Sequence, residues 1–334
     1  MGHWRIQRKE LTQVQVVTAA ALAGTYFLLW PLLRPADPQG PLAFLAGGNA
    51  PGIALVLVVM ALLAAAAAAV TTHSRPVGAM VTALLGTGGL SLHSPSLHAL
   101  LWDRDGRFGG MFTGFIIELL LLAIGVLVVD VVVSVVRSAL AKVNPAWVWK
   151  DPLQAAPPAE NQRGERGWLG SSDGAILALV RELTHRSSDR RDTRRRRLQS
   201  AGLCAVLTVA VSVALLMLLM QSDARGQVLF ALLGSFTLGA AIAHQAYPTR
   251  LVGAILPLPV LVGIAFYLLG MFASGGPHGA HNAWLRVPNY AYALPLDWIT
   301  AGVGGAGLGF WISSRIHELR HMEKREQGQD EQTA

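Results

Sequence analysis

The sequence predicts an all-α, polytopic transmembrane helix bundle of about eight spans, built as a four-plus-four parallel internal repeat. Three observations carry this expectation. Hydrophobic residues make up 52% of the 334 positions and charged residues only 14%, with a mean hydropathy of +0.44; a soluble domain is about a quarter charged. The apolar residues fall in continuous Ala/Leu/Val-rich runs close to the roughly 20 residues that cross a hydrocarbon core, unlike the alternating segments of a barrel. Finally, landmarks of the first half recur in the same order in the second, at separations of 175 to 183 residues.

The first span, Val14 to Leu33, follows Arg5, Arg8 and Lys9. It is too long for a signal-peptide core, and Arg34-Pro35-Ala36-Asp37-Pro38 offers no small-x-small cleavage site, so it reads as a retained anchor. Gly52 to Thr72 is the second span. The third, Gly78 to Leu92, is short and glycine-rich, and a re-entrant segment would explain it equally well. Met111 to Val136 closes the first half. In the second half the spans are Gly202 to Met220, Val228 to Ala246, Leu251 to Phe272 and Tyr292 to Ser313. Pro257 and Pro259 interrupt the seventh, as in the broken helices that line transport sites and in plain kinks alike. Gly302, Gly304, Gly305, Gly307 and Gly309 give the eighth a small face suited to close helix approach or to a homo- or hetero-oligomer contact.

The repeat rests on four matches. Arg75-Pro76-Val77-Gly78-Ala79 is echoed by Arg250-Leu251-Val252-Gly253-Ala254, and His98-Ala99-Leu100-Leu101-Trp102-Asp103-Arg104 by His281-Asn282-Ala283-Trp284-Leu285-Arg286. Glu118 and Asp297 sit early in the fourth and eighth spans, which Arg137 and Arg315 close. The expected organisation is therefore a first membrane repeat over 1–137, a basic cytoplasmic linker with one short helix over 138–199, a second repeat over 200–320 and a disordered tail over 321–334.

Arginines and lysines at the N-terminus, in the central linker (Arg190, Arg191, Arg194 to Arg197) and at the C-terminus (Arg315, Arg320, Lys324, Arg325) place all three in the cytoplasm of a bacterial-type inner membrane. The same rule accounts for the arginine run better than nucleic acid does. It directly precedes a span and has no interleaved aromatics, so its partner is the anionic lipid surface. Within the linker, Ser172-Asp173-Gly174-Ala175-Ile176-Leu177 opens one short helix with an apolar face, which would dock on the bundle, the membrane or a cytoplasmic partner. The single cysteine, Cys204, lies in an apolar run and allows no intrachain disulfide.

Function is sought in the polar residues of the spans. Glu118, Asp130 and Asp297 lie in strongly apolar settings, where a carboxylate costs about 2.5 to 3.5 kcal/mol on insertion scales and so faces a partner, a cavity or water. Arg75 and Arg250 would flank a cytoplasmic turn in each half; topogenesis is their simplest role, and a basic mouth for an anionic solute the sharper one. His93, His98, His278 and His281 fall in outer loops and would together offer a zinc or copper site. Their spacings match no metal motif, solvated loop histidines explain them more simply, and no cofactor is the default expectation. No phosphate loop, HExxH or rhomboid-type serine motif occurs. Transport of a small solute is the leading reading; a non-catalytic membrane-anchor subunit is the alternative, and an outer-face metal-binding or redox protein the third.

Overall fold

A computed structural model describes residues 2–33, 41–47, 49–72, 74–95, 97, 100–101, 108–144, 176, 179, 191–249, 251–274 and 286–333. These residues are mostly helical, with no strand among them. Helix α1 (Gly2–Gly24) continues through a π-helical stretch, Thr25–Leu29, into a last turn, Trp30–Leu33. It is followed by α2 (Ala50–Val70), α3 (Pro76–His93) and α4 (Phe108–Val143). The second half holds α5 (Arg191–Leu219), α6 (Arg225–Ala246) and α7 (Leu258–Ala273), the last preceded by a 3₁₀ turn, Val252–Ala254. The final helix begins with Pro295–Asp297, passes through π-helical Trp298–Val303 and ends as α8 (Gly304–Thr333).

Six of these helices are long and apolar enough to cross a membrane: Leu11–Leu33, Ala50–Val70, Gly109–Val143, Arg195–Leu219, Arg225–Ala246 and Val252–Ala273. All six turn large apolar side chains outward, among them Phe27, Leu62, Leu127, Val206, Phe230 and Phe272. In water such a surface would be prohibitive; in lipid it is the expected exterior. The chain is a multi-pass integral membrane protein.

Helix α3 lies at the centre, packed by α1, α2 and α8 and flanked by both π-helical stretches. Its glycines, serines and threonines make it a poor lipid-facing helix and a good interior one, because small residues let neighbouring backbones approach. Thr25 Oγ1 donates to Gly86 O at 2.6 Å and Thr18 Oγ1 to Thr82 Oγ1 at 3.1 Å, so α1 and α3 run parallel. Ser91 Oγ meets Thr300 Oγ1 at 3.4 Å, so α8 enters antiparallel to α3. Thr25 and Thr300 both sit in π-helical stretches, whose widened turns shift backbone groups off the regular ladder. Pro257 caps the start of α7, three residues after the 3₁₀ turn, which places the expected break of the seventh span at its beginning.

The two halves share one packing relation and differ in another. α2 packs on α4 as α6 packs on α8, whereas α1 packs chiefly on α3 and α5 chiefly on α6. Contacts between distant segments sort the helix ends into two groups. The starts of α1, α3 and α5 and the ends of α4, α6 and α8 gather at one end, here the basic end. The starts of α4, α6 and α8 and the end of α3 meet at the opposite end.

Gly309 of α8 faces the backbone of Thr237 on α6, and Gly305 faces Leu233 and Thr237. Close helix approach, one of the two uses expected of the small face, is thus made at Gly305 and Gly309 by a helix of the same chain. At that distance the glycine hydrogens are what the interface accommodates, and the two helices meet backbone to backbone.

Candidate functional site

The opposite end carries a cluster built from four elements. Pro295 opens the last helix, and Asp297 Oδ2 reaches back to accept the Leu294 N–H at 2.6 Å, satisfying a donor the helix start would otherwise strand. The same carboxylate takes a two-pronged ion pair from Arg225 of α6, with Nη1 to Oδ2 at 2.8 Å and Nη2 to Oδ1 at 2.5 Å. Arg225 Nη2 also donates to Ser91 O at the end of α3, 3.1 Å away. One guanidinium therefore ties three helices together. Asp297 is fully enclosed and Arg225 is 11% exposed, so this pair sits in a far lower dielectric than a surface ion pair.

Glu118 of α4 lies in the same neighbourhood and is also fully enclosed. Its Oε2 accepts the Leu45 N–H at 2.9 Å, with the Phe44 amide beside it, which draws segment 41–47 into the bundle. Its Oε1 is buried without a hydrogen-bond partner. Asp297 and Glu118 are within electrostatic range of one another and of Tyr267 on α7, whose hydroxyl donates to Ala293 O at 2.6 Å. Aromatic rings wall the site: Phe115 and Phe112 lie 5.3 and 6.2 Å from Tyr267, and Phe266 and Phe236 lie 5.8 and 6.2 Å from Trp298. Gly263 admits the Trp298 ring, since a Cβ there would stand 2.8 Å from it.

The basic end is closed by a second ion pair. Glu318 of α8 pairs with Arg75, at the start of α3, and with Arg315 one turn earlier, at 3.1 Å. Arg75 is therefore engaged by a carboxylate; Arg250, its proposed counterpart, lies outside the described residues. Arg137 is buried and donates to Ser74 O at 2.6 Å and Thr71 O at 2.8 Å, holding the carbonyls that follow α2. His244 has both ring nitrogens occupied. Thr249 O can only accept, so Nε2 donates to it at 2.9 Å, and Nδ1 accepts the Ser313 hydroxyl at 2.7 Å.

Asp130 is buried on α4, and its Oδ2 accepts the Ile176 N–H of the central segment at 2.9 Å. Ile176 packs against the core. The apolar face expected in the linker is thus turned at Ile176 onto the bundle, and Asp130 serves as its anchor. Asp130→Asn is expected to weaken this anchor, since an amide in place of the carboxylate gives up the charge-assisted part of the bond, about 1 kcal/mol. Limited proteolysis of the central segment at least threefold faster than in the unaltered chain would be the outcome; an unchanged rate would remove the anchoring role.

Of the four histidines weighed as zinc or copper ligands, only His93 is described, and its ring stacks on Tyr26 at 3.8 Å and Trp30 at 4.8 Å. His98, His278 and His281 lie outside the described residues. Among the described residues, no group of three or more His, Cys, Asp or Glu side chains gathers as a metal site.

Arg225 was not among the residues singled out from the sequence, although it carried a signal. It opens an apolar span on the side that the positive-inside rule leaves poor in basic residues, and an arginine there calls for a buried partner. Neither a protein-family model, a curated protein nor a solved structure matches this chain.

Proposed function

We propose that this protein moves a small solute across a bacterial-type inner membrane, crossing it eight times as two four-helix repeats with the basic end in the cytoplasm. The enclosed Glu118–Asp297–Arg225 cluster is the observation that supports this reading. Two carboxylates and one guanidinium within a lipid-facing bundle are costly unless they serve a partner or a path. Helix α3, 18 residues long, extends about 27 Å at the helical rise, and Asp297 and Glu318 are separated by about 30 Å on the last helix. Both lengths approach the hydrocarbon thickness. Neither helix needs an apolar exterior, since other helices shield it from lipid. The repeat enters through the matched α2–α4 and α6–α8 pairs, and through Glu118 and Asp297, which come from corresponding spans to one cluster.

In this proposal the path runs along α3 and α8 and is closed at each end by an arginine–carboxylate pair. Releasing Arg225 from Asp297 opens one end; releasing Arg75 from Glu318 opens the other. Purified protein in liposomes, challenged with gradients of potassium, ammonium, choline and acetate salts and of glycerol, is expected to pass at least one probe. Asp297→Asn, which weakens the pair that closes one end, should raise that flux at least tenfold. Folded protein that passes none of them would favour the membrane-anchor reading, which the Asp130–Ile176 contact supports by holding the central segment against the bundle.

A further inference from the structure

Building on the Glu118–Asp297–Arg225 cluster as the transport site, we infer that Glu118 is a proton-binding site and that the moving or co-moving ion is a proton. Three features of the geometry lead there. First, the groups facing Glu118 leave it the uncompensated acid of the cluster. Arg225 is the cation that pairs with Asp297, and both of its terminal nitrogens are spent on Asp297 and Ser91 O. The Tyr267 hydroxyl is committed to Ala293 O. The Leu45 amide donates to Oε2, with the Phe44 amide beside the carboxyl.

Second, Oε1 is fully buried and has no partner, so the site holds a vacant acceptor position in an aromatic-walled interior. A buried acceptor left unmatched is costly, and more so if it is charged. A proton bound at Oε1 cancels the charge and recovers the part of that cost that the charge adds. Third, the occupant need be no larger than a proton. A metal ion requires several ligands, and among the described residues no three His, Cys, Asp or Glu side chains gather to supply them. The backbone N–H directed at the carboxyl also repels a cation held beside it.

The exchange is a simple one: the ionised Glu118 carboxylate takes up one proton at Oε1 to become the neutral acid, and releases it unchanged. Arg225, the partly exposed member, stands between Asp297 and the surroundings. Its movement off Asp297 would admit the proton at one end of the bundle. The opposite exit requires Arg75 to leave Glu318.

Infrared spectroscopy of the full chain in lipid reads this site without any turnover. The expected result is a carboxylic-acid C=O band that titrates with pH, shifts in D₂O and is lost in Glu118→Gln. Gln keeps the acceptor for Leu45 and nearly the same volume; Glu118→Asp, a second variant, should move the band and not abolish it. A spectrum of the unaltered protein with no titrating acid band at any pH would overturn the proposal, whatever the variants do. So would a band that persists unchanged in Glu118→Gln, or one that responds to sodium or potassium at fixed pH. If the band behaves as expected while liposomes pass no solute, the proton site stands and the transport reading falls.

Discussion

Arg225→Ala is expected to destabilise the protein by about 3 to 5 kcal/mol, the usual penalty for stranding one member of a buried ion pair. An exposed pair would contribute about 1 kcal/mol or less, so burial decides between the two magnitudes. Asp297 is fully enclosed and Arg225 nearly so, and the alanine variant would leave a carboxylate with only the Leu294 amide as donor. The contact to Ser91 O disappears with the guanidinium, loosening α6 from the end of α3. Asp297→Ala should cost a similar amount. The double variant should cost clearly less than the sum of the two, because no uncompensated charge remains. Denaturant titration of the purified protein in mixed micelles measures all three. A loss below about 1 kcal/mol for Arg225→Ala would show the pair to be solvated and remove it as a closed gate.

Gly309→Leu is expected to be the most damaging change at any glycine of the last helix. The side chain would have to enter space occupied by the Thr237 backbone of α6. Overpacking against movable side chains costs about 1 to 3 kcal/mol; here the obstacle is main chain, so the helices must separate or the variant must fail to assemble. The α6–α8 contact is among the most extensive in the bundle, and Gln245 Nε2 and His244 Nδ1 meet Ser313 along it. Gly234→Leu on α6 is the control, because its Cβ would meet nothing within 4 Å. Yield and monodispersity in detergent should collapse for Gly309→Leu and hold for Gly234→Leu. Equal behaviour of the two would mean that α6 and α8 are not in backbone contact.

Much of this molecule was legible in the chain because the signal was local. Continuous apolar runs place Ala50–Val70, Arg225–Ala246 and Val252–Ala273 within a few residues of their expected spans, and Gly109–Val143 runs seven residues beyond its expected end. The enclosure of Glu118, Asp130 and Asp297 also follows from local cost, since an ionisable group in an apolar helix avoids lipid. Their uses were not legible. Asp130 serves the central segment, and Glu118 meets Leu45 from a segment 73 positions earlier in the chain. Arg75, whose simplest reading was a topogenic charge, meets Glu318, a residue far away in sequence, and Arg137, read only as closing its span, holds the carbonyls after α2. A charge count near a span end cannot distinguish a guanidinium in the headgroups from one folded inward.

The sequence by itself determined that this is a helical multi-pass membrane protein, that its acids are held away from lipid and that its basic segments belong together. Those properties are sums over neighbouring residues: the cost of exposing backbone and charge to hydrocarbon is set within one helix, whatever its partners. Only the tertiary structure decided that Arg225 pairs with Asp297, that Glu118 keeps one oxygen unmatched, that the glycine face of α8 is filled by α6 and that α3 lies at the centre. Each of these depends on which helices become neighbours. That choice is made by close packing and pairwise hydrogen bonds between residues some 60 to 75 positions apart or more, which hydropathy does not encode.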